Sequence, residues 1–477
     1  MKVLVIGSVY PRFQEDAEVP WLRTSIAHLK KAGVDIQVLA PAYKGLKSHD
    51  IDGTHVNRFR YAPANWEILT HEEGAPSKMA SKPWLQLLAI PYIINGFIQC
   101  LRICRKWRPD VIHAHWPFPH AYIALGAAKL FKIPLVLNFH GAELLLIRKK
   151  KWVKPLLKFA IGQAQAVFAN SSFTASKIKA LRNVNVEWSP YGTTLEEKPE
   201  TREVVRQAHQ PGHKVPELVE GPHPVNDNCI RQESHPCLHE HGRVEQLVEP
   251  AEIVPHAING KFKILFVGRH IERKGICYLI EAAKYLPQDE FEIRIVGGGD
   301  LTEQLKQQAA LLNESGSIDL LRSRSAQAPA LCHPETQPKD PAAFQPASII
   351  FTGKLSPEDL ANEYKTANVF TLPAIVDSKG DTEGLGVVLI EAMELGLPIV
   401  ASNVGGIPDV VIDEESGILV PEKDPVALAN AFKRLASDPS LVEKLLAGAR
   451  KRIDECFTWD GIIERQIEVY NKVISRD

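Results

Sequence analysis

Two series of short, β-rich apolar runs, each interleaved with helical patterns, constrain this chain more than any other feature. In the first half the runs cover residues 2–6, 35–39, 111–115, 135–139, 166–170 and 184–188. The second series covers 262–267, 291–296, 349–351, 369–372, 398–402 and 417–420, with helical patterns such as 272–285 and 383–395 between them. Apolar runs without strict alternation, separated by helices, belong to parallel sheets covered on both faces. Two such series in 477 residues predict two doubly wound, Rossmann-like α/β domains.

The rhythm breaks twice. Residues 199–258 hold eight Pro and seven of the 17 His with no sustained period, and read as a disordered insert or linker. Residues 313–347, with five Pro and the run Arg322-Ser323-Arg324-Ser325, read as a second surface insertion. The expected domains are therefore 1–195 and 259–455, followed by a terminal helix over 456–477.

Charge separates the halves. The whole chain balances 56 basic against 57 acidic residues, which speaks against a nucleic-acid-coating role. Residues 1–192, however, carry 26 Lys and Arg against 12 Asp and Glu, so 193–477 carry 30 against 45, and different partners are expected for the two halves. Much of the basic excess lies in Arg102, Arg105, Lys106 and Arg108, and in Arg148, Lys149, Lys150, Lys151, Lys154 and Lys158, flanking the apolar residues 144–147 and Trp152-Val153. Such a surface suits peripheral contact with an anionic membrane, and equally a solvated helix face over a core. The apolar stretch 84–104 is interrupted by Gln86, Pro91, Asn95, Gln99 and Arg102, which makes it a poor membrane span. Seven Cys without a Cys-x-x-Cys pair indicate neither a disulfide framework nor zinc, and the spacing of Cys229, His235, Cys237, His239 and His241 does not alter that. The start, with five apolar residues after Lys2, reads as a strand rather than a signal peptide, so a cytoplasmic protein is expected, at most peripheral at the membrane's inner face.

The strongest chemical signal is Asp381-Thr382-Glu383-Gly384-Leu385-Gly386-Val387-Val388-Leu389-Ile390-Glu391 after the strand at 369–372. Gly384 and Gly386 let backbone approach a ligand, and the helix start beyond them offers free N–H groups to a phosphate. Glu391, about two turns into that helix, is placed to accept both hydroxyls of a ribose, and Glu383 to meet a second sugar. A solvated helix cap is the bland alternative, but it gives no reason for two carboxylates to bracket a Gly-x-Gly turn. The second signal is the strand 262–267 ending in Gly268 and Arg269, with Lys274 five residues beyond Arg269. Two fixed cations at a strand's carboxyl end can neutralise a diphosphate leaving group in place of a divalent metal; the alternative is a charged turn in which Arg269 pairs with Glu272.

Together with Ile295-Val296-Gly297-Gly298-Gly299, Phe351-Thr352-Gly353, Gly405-Gly406-Ile407-Pro408, Phe457-Thr458-Trp459, Phe139-His140-Gly141-Ala142-Glu143 and His113-Ala114-His115, these motifs resemble the retaining, nucleotide-sugar-dependent glycosyltransferases of family four, which have the GT-B fold. The resemblance implies that Gly268, Arg269 and Lys274 hold the donor's diphosphate and Glu391 its ribose. It places the transferred sugar against Glu383 and the backbone of Gly384, Leu385 and Gly386, and the base beside Thr352 and Gly353. His140 would lie against the sugar near the reacting carbon, with Glu143 and His115 on the acceptor side. It further implies transfer with retention from a UDP-sugar to a saccharide or glycolipid hydroxyl, no cofactor, no metal, and a terminal helix that crosses back to the first domain. The chain departs from the family in the loop after the first strand, where Ser8-Val9-Tyr10-Pro11-Arg12 replaces a glycine pair, and at Glu143, where Asp is frequent.

His113 and His115 are expected on opposite faces of their strand, so that at most one meets the cleft. Three rival readings remain: a nucleotide-sugar epimerase or hydrolase on the same fold, a scaffold with an impaired cleft, and a dinucleotide oxidoreductase. The last is disfavoured because Gly7 is isolated and Gly297-Gly298-Gly299 is followed by Asp300-Leu301-Thr302, which breaks the Gly-x-Gly-x-x-Gly fingerprint.

Overall fold

A computed structural model describes residues 1–16, 18–71, 78, 79, 81–192, 260–314 and 345–475. The insert at 199–258, nearly all of that at 313–347, and the group from Cys229 to His241 lie outside the described residues. Strands β1 (Lys2–Ile6), β2 (Asp35–Pro41), β3 (His49–Ile51), β4 (Thr54–Phe59), β5 (Val111–His115), β6 (Leu135–Phe139), β7 (Ala166–Ala169) and β8 (Glu187–Trp188) form one sheet in the order β3-β4-β2-β1-β5-β6-β7-β8. A second sheet holds β9 (Phe262–Arg269), β10 (Phe291–Gly298), β11 (Ser348–Gly353), β12 (Val369–Leu372), β13 (Ile399–Ser402) and β14 (Ile418–Val420) in the order β11-β10-β9-β12-β13-β14. Every pairing is parallel except β3 with β4.

Strand order reverses between β1 and β5 in one sheet and between β9 and β12 in the other. Crossovers leave such strand pairs in opposite directions, so a crevice opens beyond their carboxyl ends where ligands bind. The architecture is two-domain α/β of the GT-B type.

Four local features differ from the sequence reading. The β3–β4 hairpin went unread because β3 is short and polar; its signature is the Asp52-Gly53 turn, with φ of 50° and 65°. The helical pattern at 272–285 divides into a 3-10 turn (Glu272–Lys274), α7 (Ile276–Ala282) and another turn (Ala283–Tyr285). It breaks at Gly275, whose φ is 64° and whose missing Cβ would stand 1.8 Å from the Pro373 carbonyl oxygen. The pattern at 383–395 becomes helical only at α10 (Val387–Glu394), because Gly386 takes a φ of 87°. Glu391 is thus about one turn into its helix, not two.

Alternation along β1 sends Leu4 and Ile6 to one core layer and Val3 and Val5 to the other. The first layer is covered by α2 (Ala89–Trp107), α3 (Pro117–Phe131) and α5 (Val153–Ile161). The other is covered by α1 (Pro20–Lys31) and by the final helix α14 (Trp459–Ile474), whose Ile463, Tyr470 and Val473 are buried there. The Tyr470 hydroxyl lies 2.6 Å from His113 Nδ1 and Gln466 Nε2 donates to Ser189 Oγ at 2.9 Å, so the chain's last helix belongs to the first domain's core.

Candidate active site

Successive strands of the first sheet deliver a row of polar and aromatic side chains to one edge. His115 ends β5, His140 follows β6, Asn170 follows β7 and Tyr191 follows β8. Asn170 Nδ2 donates to the Tyr191 oxygen (3.5 Å), leaving the phenol O–H to donate to His140 Nδ1 (2.5 Å). With Nδ1 accepting, the His140 proton sits on Nε2 and is given to His115 Nδ1 at 3.0 Å. The three rings stack, with centroids 5.8 Å apart for His140–Tyr191 and 5.2 Å for His115–His140. Trp21, at the start of α1, covers the row 4.8 Å from His140 and 4.6 Å from Tyr191. Burial pushes His140 down to about 3, with a smaller push from His113, and holds His115 well below the usual imidazole range. Both are neutral at pH 7, and both ring nitrogens of His140 are engaged within the domain.

His113 and His115 lie on the same face of β5, their rings 4.3 Å apart. Residues two apart on a strand share a face, and the expectation of opposite faces is corrected accordingly. His115 joins His140; His113 points into the core toward Tyr470.

Glu143 stands in the first turn of α4 (Ala142–Lys149), only 4% exposed, with both carboxylate oxygens 3.4 Å from the His140 backbone N. Burial raises its pKa to about 7 against the downward pull of nearby backbone N–H groups. It is therefore placed beneath the histidine loop rather than at an open acceptor surface.

The loop after β1 is built without a glycine pair. Arg12 forms a bidentate pair with Asp16 (2.6 and 3.0 Å). Beneath it, the buried Arg58 guanidinium of β4 donates to the carbonyls of Tyr10 (3.0 Å), Pro11 (2.5 Å) and Pro41 (3.3 Å). Burial lowers Arg58 to about 10, so it stays charged at neutral pH.

In the second domain the 3-10 turn after β9 is laced to the loop after β12 by three consecutive residues. Glu272 accepts from Ser378 N and Oγ, both at 2.7 Å; Arg273 meets Asp381 at 2.6 Å; Lys274 Nζ meets Glu383 Oε2 at 2.5 Å. Burial would raise the Glu383 carboxyl, but Lys274, Arg273 and the Gly384 N–H outweigh it and hold the carboxyl below its ordinary value. Glu272 is committed to Ser378, whereas the exposed Arg269 makes no ion pair among the described residues. Arg269 and Lys274 thus flank the β9/β12 crevice, as does Gly268. Glu391 lies beside Tyr364, whose phenol is pushed well up by burial first and then by that carboxylate. Thr352 and Gly353 end β11, two strands from β9.

The two edges meet. A Cβ on Gly384 would lie 3.7 Å from Asn170 Nδ2 and 3.9 Å from the His140 carbonyl oxygen. Arg148 Nη1 donates to the Gly380 carbonyl (2.6 Å), and Ser172 N, at the start of α6 (Ser172–Leu181), donates to Asp409 Oδ2 (2.6 Å). The structure therefore brings His115, His140, Glu143, Lys274, Glu383 and Gly384 to one cleft. It adds Tyr191, Asn170 and Trp21, which sequence reasoning missed; their only advance signal was an aromatic or amide just beyond a strand or at a helix start.

Two facing doubly wound sheets, with cations and a Gly-x-Gly loop at one switch point and a histidine row at the other, define a GT-B protein. Residues 22–189 match the family described as Glycosyltransferase Family 4, and residues 249–333 and 342–452 match Glycosyl transferases group 1. The chain belongs to the group 1 glycosyltransferase family and has the GT-B fold. It is 32% identical over 203 residues to the amylovoran biosynthesis glycosyltransferase of Erwinia amylovora, covering 42% of each chain. The chain spans less than half the length of several curated relatives that it matches, this one among them. Similar solved structures include the sucrose-phosphate synthase of Thermosynechococcus elongatus, with 17% identity, 100% of both chains covered and a TM-score of 0.64. An Anabaena protein solved with UDP and glucose is 15% identical, covers 99% of this chain and 100% of its own, and has a TM-score of 0.57.

Proposed function

We propose that this protein moves a hexose from a nucleoside diphosphate, UDP, to a hydroxyl of a saccharide or saccharide-bearing lipid, with retention at the anomeric carbon and without a metal. The observation that carries the reading is the Lys274–Glu383 pair beside Gly384, at a switch point that faces Asn170 and His140. The Anabaena structure solved with UDP and glucose supports a UDP-sugar donor, and the amylovoran relative supports a saccharide acceptor.

The chemistry follows from charge. Breaking the bond between the sugar's C1 and the phosphate oxygen puts negative charge on the diphosphate. Arg269 makes no ion pair among the described residues, and Lys274 can exchange its carboxylate for that phosphate. Glu383, released from Lys274, then accepts from sugar hydroxyls. The acceptor oxygen bonds C1 on the face the leaving group vacates, and its proton passes to the leaving phosphate oxygen, so no side chain need change its net protonation. The neutral histidines agree with that: His140 orients, through a ring fixed by Tyr191 and His115, and carries no positive charge to oppose the developing oxocarbenium ion.

Calorimetry with UDP-, GDP- and ADP-sugars tests donor choice. Arg269→Ala is expected to weaken nucleotide binding by about 2 kcal/mol. Glu383→Ala is expected to keep nucleotide affinity while turnover falls on the order of 100-fold or more. Release of free sugar at full rate without acceptor would instead establish the hydrolase or epimerase reading, and absence of nucleotide binding the scaffold reading.

A further inference from the structure

Helix α2 leaves an apolar stripe uncovered. Leu87, in the 3-10 turn (Pro83–Leu88) that leads into it, is 76% exposed, and Ile90, Ile94 and Ile98 are 67%, 52% and 36% exposed. Their spacing of three and four residues puts them on one ridge, about 16 Å long at 1.5 Å per residue. The opposite face, with Tyr92, Gly96, Cys100 and Cys104, is buried in the first domain's core. By length and composition the helical stretch Pro83–Trp107 is apolar enough to cross a bilayer, an 18-residue window within it having a mean hydropathy of 1.6. Crossing would strip that second face from the core, so the helix suits an interface, lying flat.

Charge identifies what covers the ridge. It continues into the exposed Arg102, Arg105, Lys106 and Arg108, and α2 holds no carboxylate. Across residues 78–186 there are 17 Lys and Arg but two acidic residues, Asp110 and the buried Glu143. A second copy of the chain would set this positive face against itself. Trp66 and Trp84, both exposed and 5.6 Å apart, stand at the ridge's amino end, and amphipathic rings favour a headgroup boundary. The sequence reading had put the apolar part of a membrane surface at residues 144–147 and Trp152-Val153. Leu144 and Val153 are buried instead, and of that group Trp152 is exposed.

We propose that the α2 ridge is a docking surface for an anionic phospholipid bilayer, with Leu87, Ile90, Ile94 and Ile98 set among the acyl chains and the Arg/Lys cluster on the headgroups. Because α2 packs on β2 and β4 and is the crossover that leads from β4 to the parallel strand β5, it runs against the strands, so the Trp84 end of the ridge lies at the sheet edge that carries His115 and a docked molecule opens its cleft close to the lipid surface. The docking stands independently of the transferase reading.

Flotation of the full chain tests it, with vesicles of phosphatidylcholine alone or mixed with phosphatidylglycerol. The protein is expected to float with the mixed vesicles, less so at high salt, and not with phosphatidylcholine alone. The Ile90→Asp/Ile94→Asp variant is expected to partition about tenfold more weakly or worse, and Arg102→Glu/Arg105→Glu to lose the preference for anionic lipid. Both should keep thermal melting and UDP affinity, which separates this outcome from misfolding and from a failed donor site. Equal flotation of the Asp variant overturns the proposal, as does no flotation of the parent. Conversion of a dimer to a monomer by the Asp variant, without effect on flotation, assigns the ridge to a copy-to-copy interface and overturns it too.

Discussion

Glu143 is a carboxylic acid kept from water at the foot of the cleft. Its pKa in the folded chain, about 7, stands above that of an unfolded glutamate, so the folded state takes up a proton first as pH falls. Stability attributable to this group therefore declines as pH rises from about 4.5 to 7, and the full penalty applies above that. Glu143→Gln should stabilise the protein by up to about 3 kcal/mol at pH 8 and by little at pH 4.5, measured by urea titration at both values. The buried histidines act with opposite sign: His113 and His140, both depressed to about 3, contribute stability above about 6.5 that is lost as pH falls through the acid range. Residue by residue, the candidate site was legible where chemistry is local. A Gly-x-Gly turn between carboxylates, or cations just past a strand, announce themselves by spacing. Tyr191 and Trp21 do not, because what each touches comes from another strand or helix. Glu143 was readable as a charge but not as a buried one.

Strand β4 carries a lesson about elements. It was missed because Thr54–Phe59 alternates little and includes Asn57 and Arg58 among its buried residues. Yet Arg58 holds the loop after β1 through the carbonyls of Tyr10 and Pro11 and ties it to the end of β2 through that of Pro41, a use of an interior guanidinium that no hydropathy pattern can reveal. Arg58→Met should remove the donor that these carbonyls share, lowering stability by about 3 kcal/mol and admitting protease to residues 8–16; an unchanged urea midpoint and an uncut loop would refute that role. The long apolar strands were legible for the converse reason: a strand covered on both faces has no polar positions to disguise it. Helix starts were read too early at 272 and 383, where glycines in left-handed conformations delay the first full turn.

At the scale of the whole molecule, the two-sheet plan was legible in the double series of apolar runs, and the return of the last helix came only with the family resemblance. Periodicity marks α14 as amphipathic but cannot say which sheet it covers; that is decided by Val3, Val5 and His113, hundreds of residues away. Tyr470→Phe should cost about 1–2 kcal/mol, and a chain ending at Thr458 should lose the cooperative unfolding of the first domain while the second keeps its own transition, as followed by calorimetry. Retention of a normal first-domain transition in the shortened chain would show that α14 is dispensable there. The pairing of His113 with Tyr470 spans 357 positions. During synthesis the amino-terminal sheet therefore emerges from the ribosome with one flank covered by α1 alone, and stays so until residues 459–474 have followed. The domain made first is the one finished last, and any truncated product leaves that flank open to unwanted association.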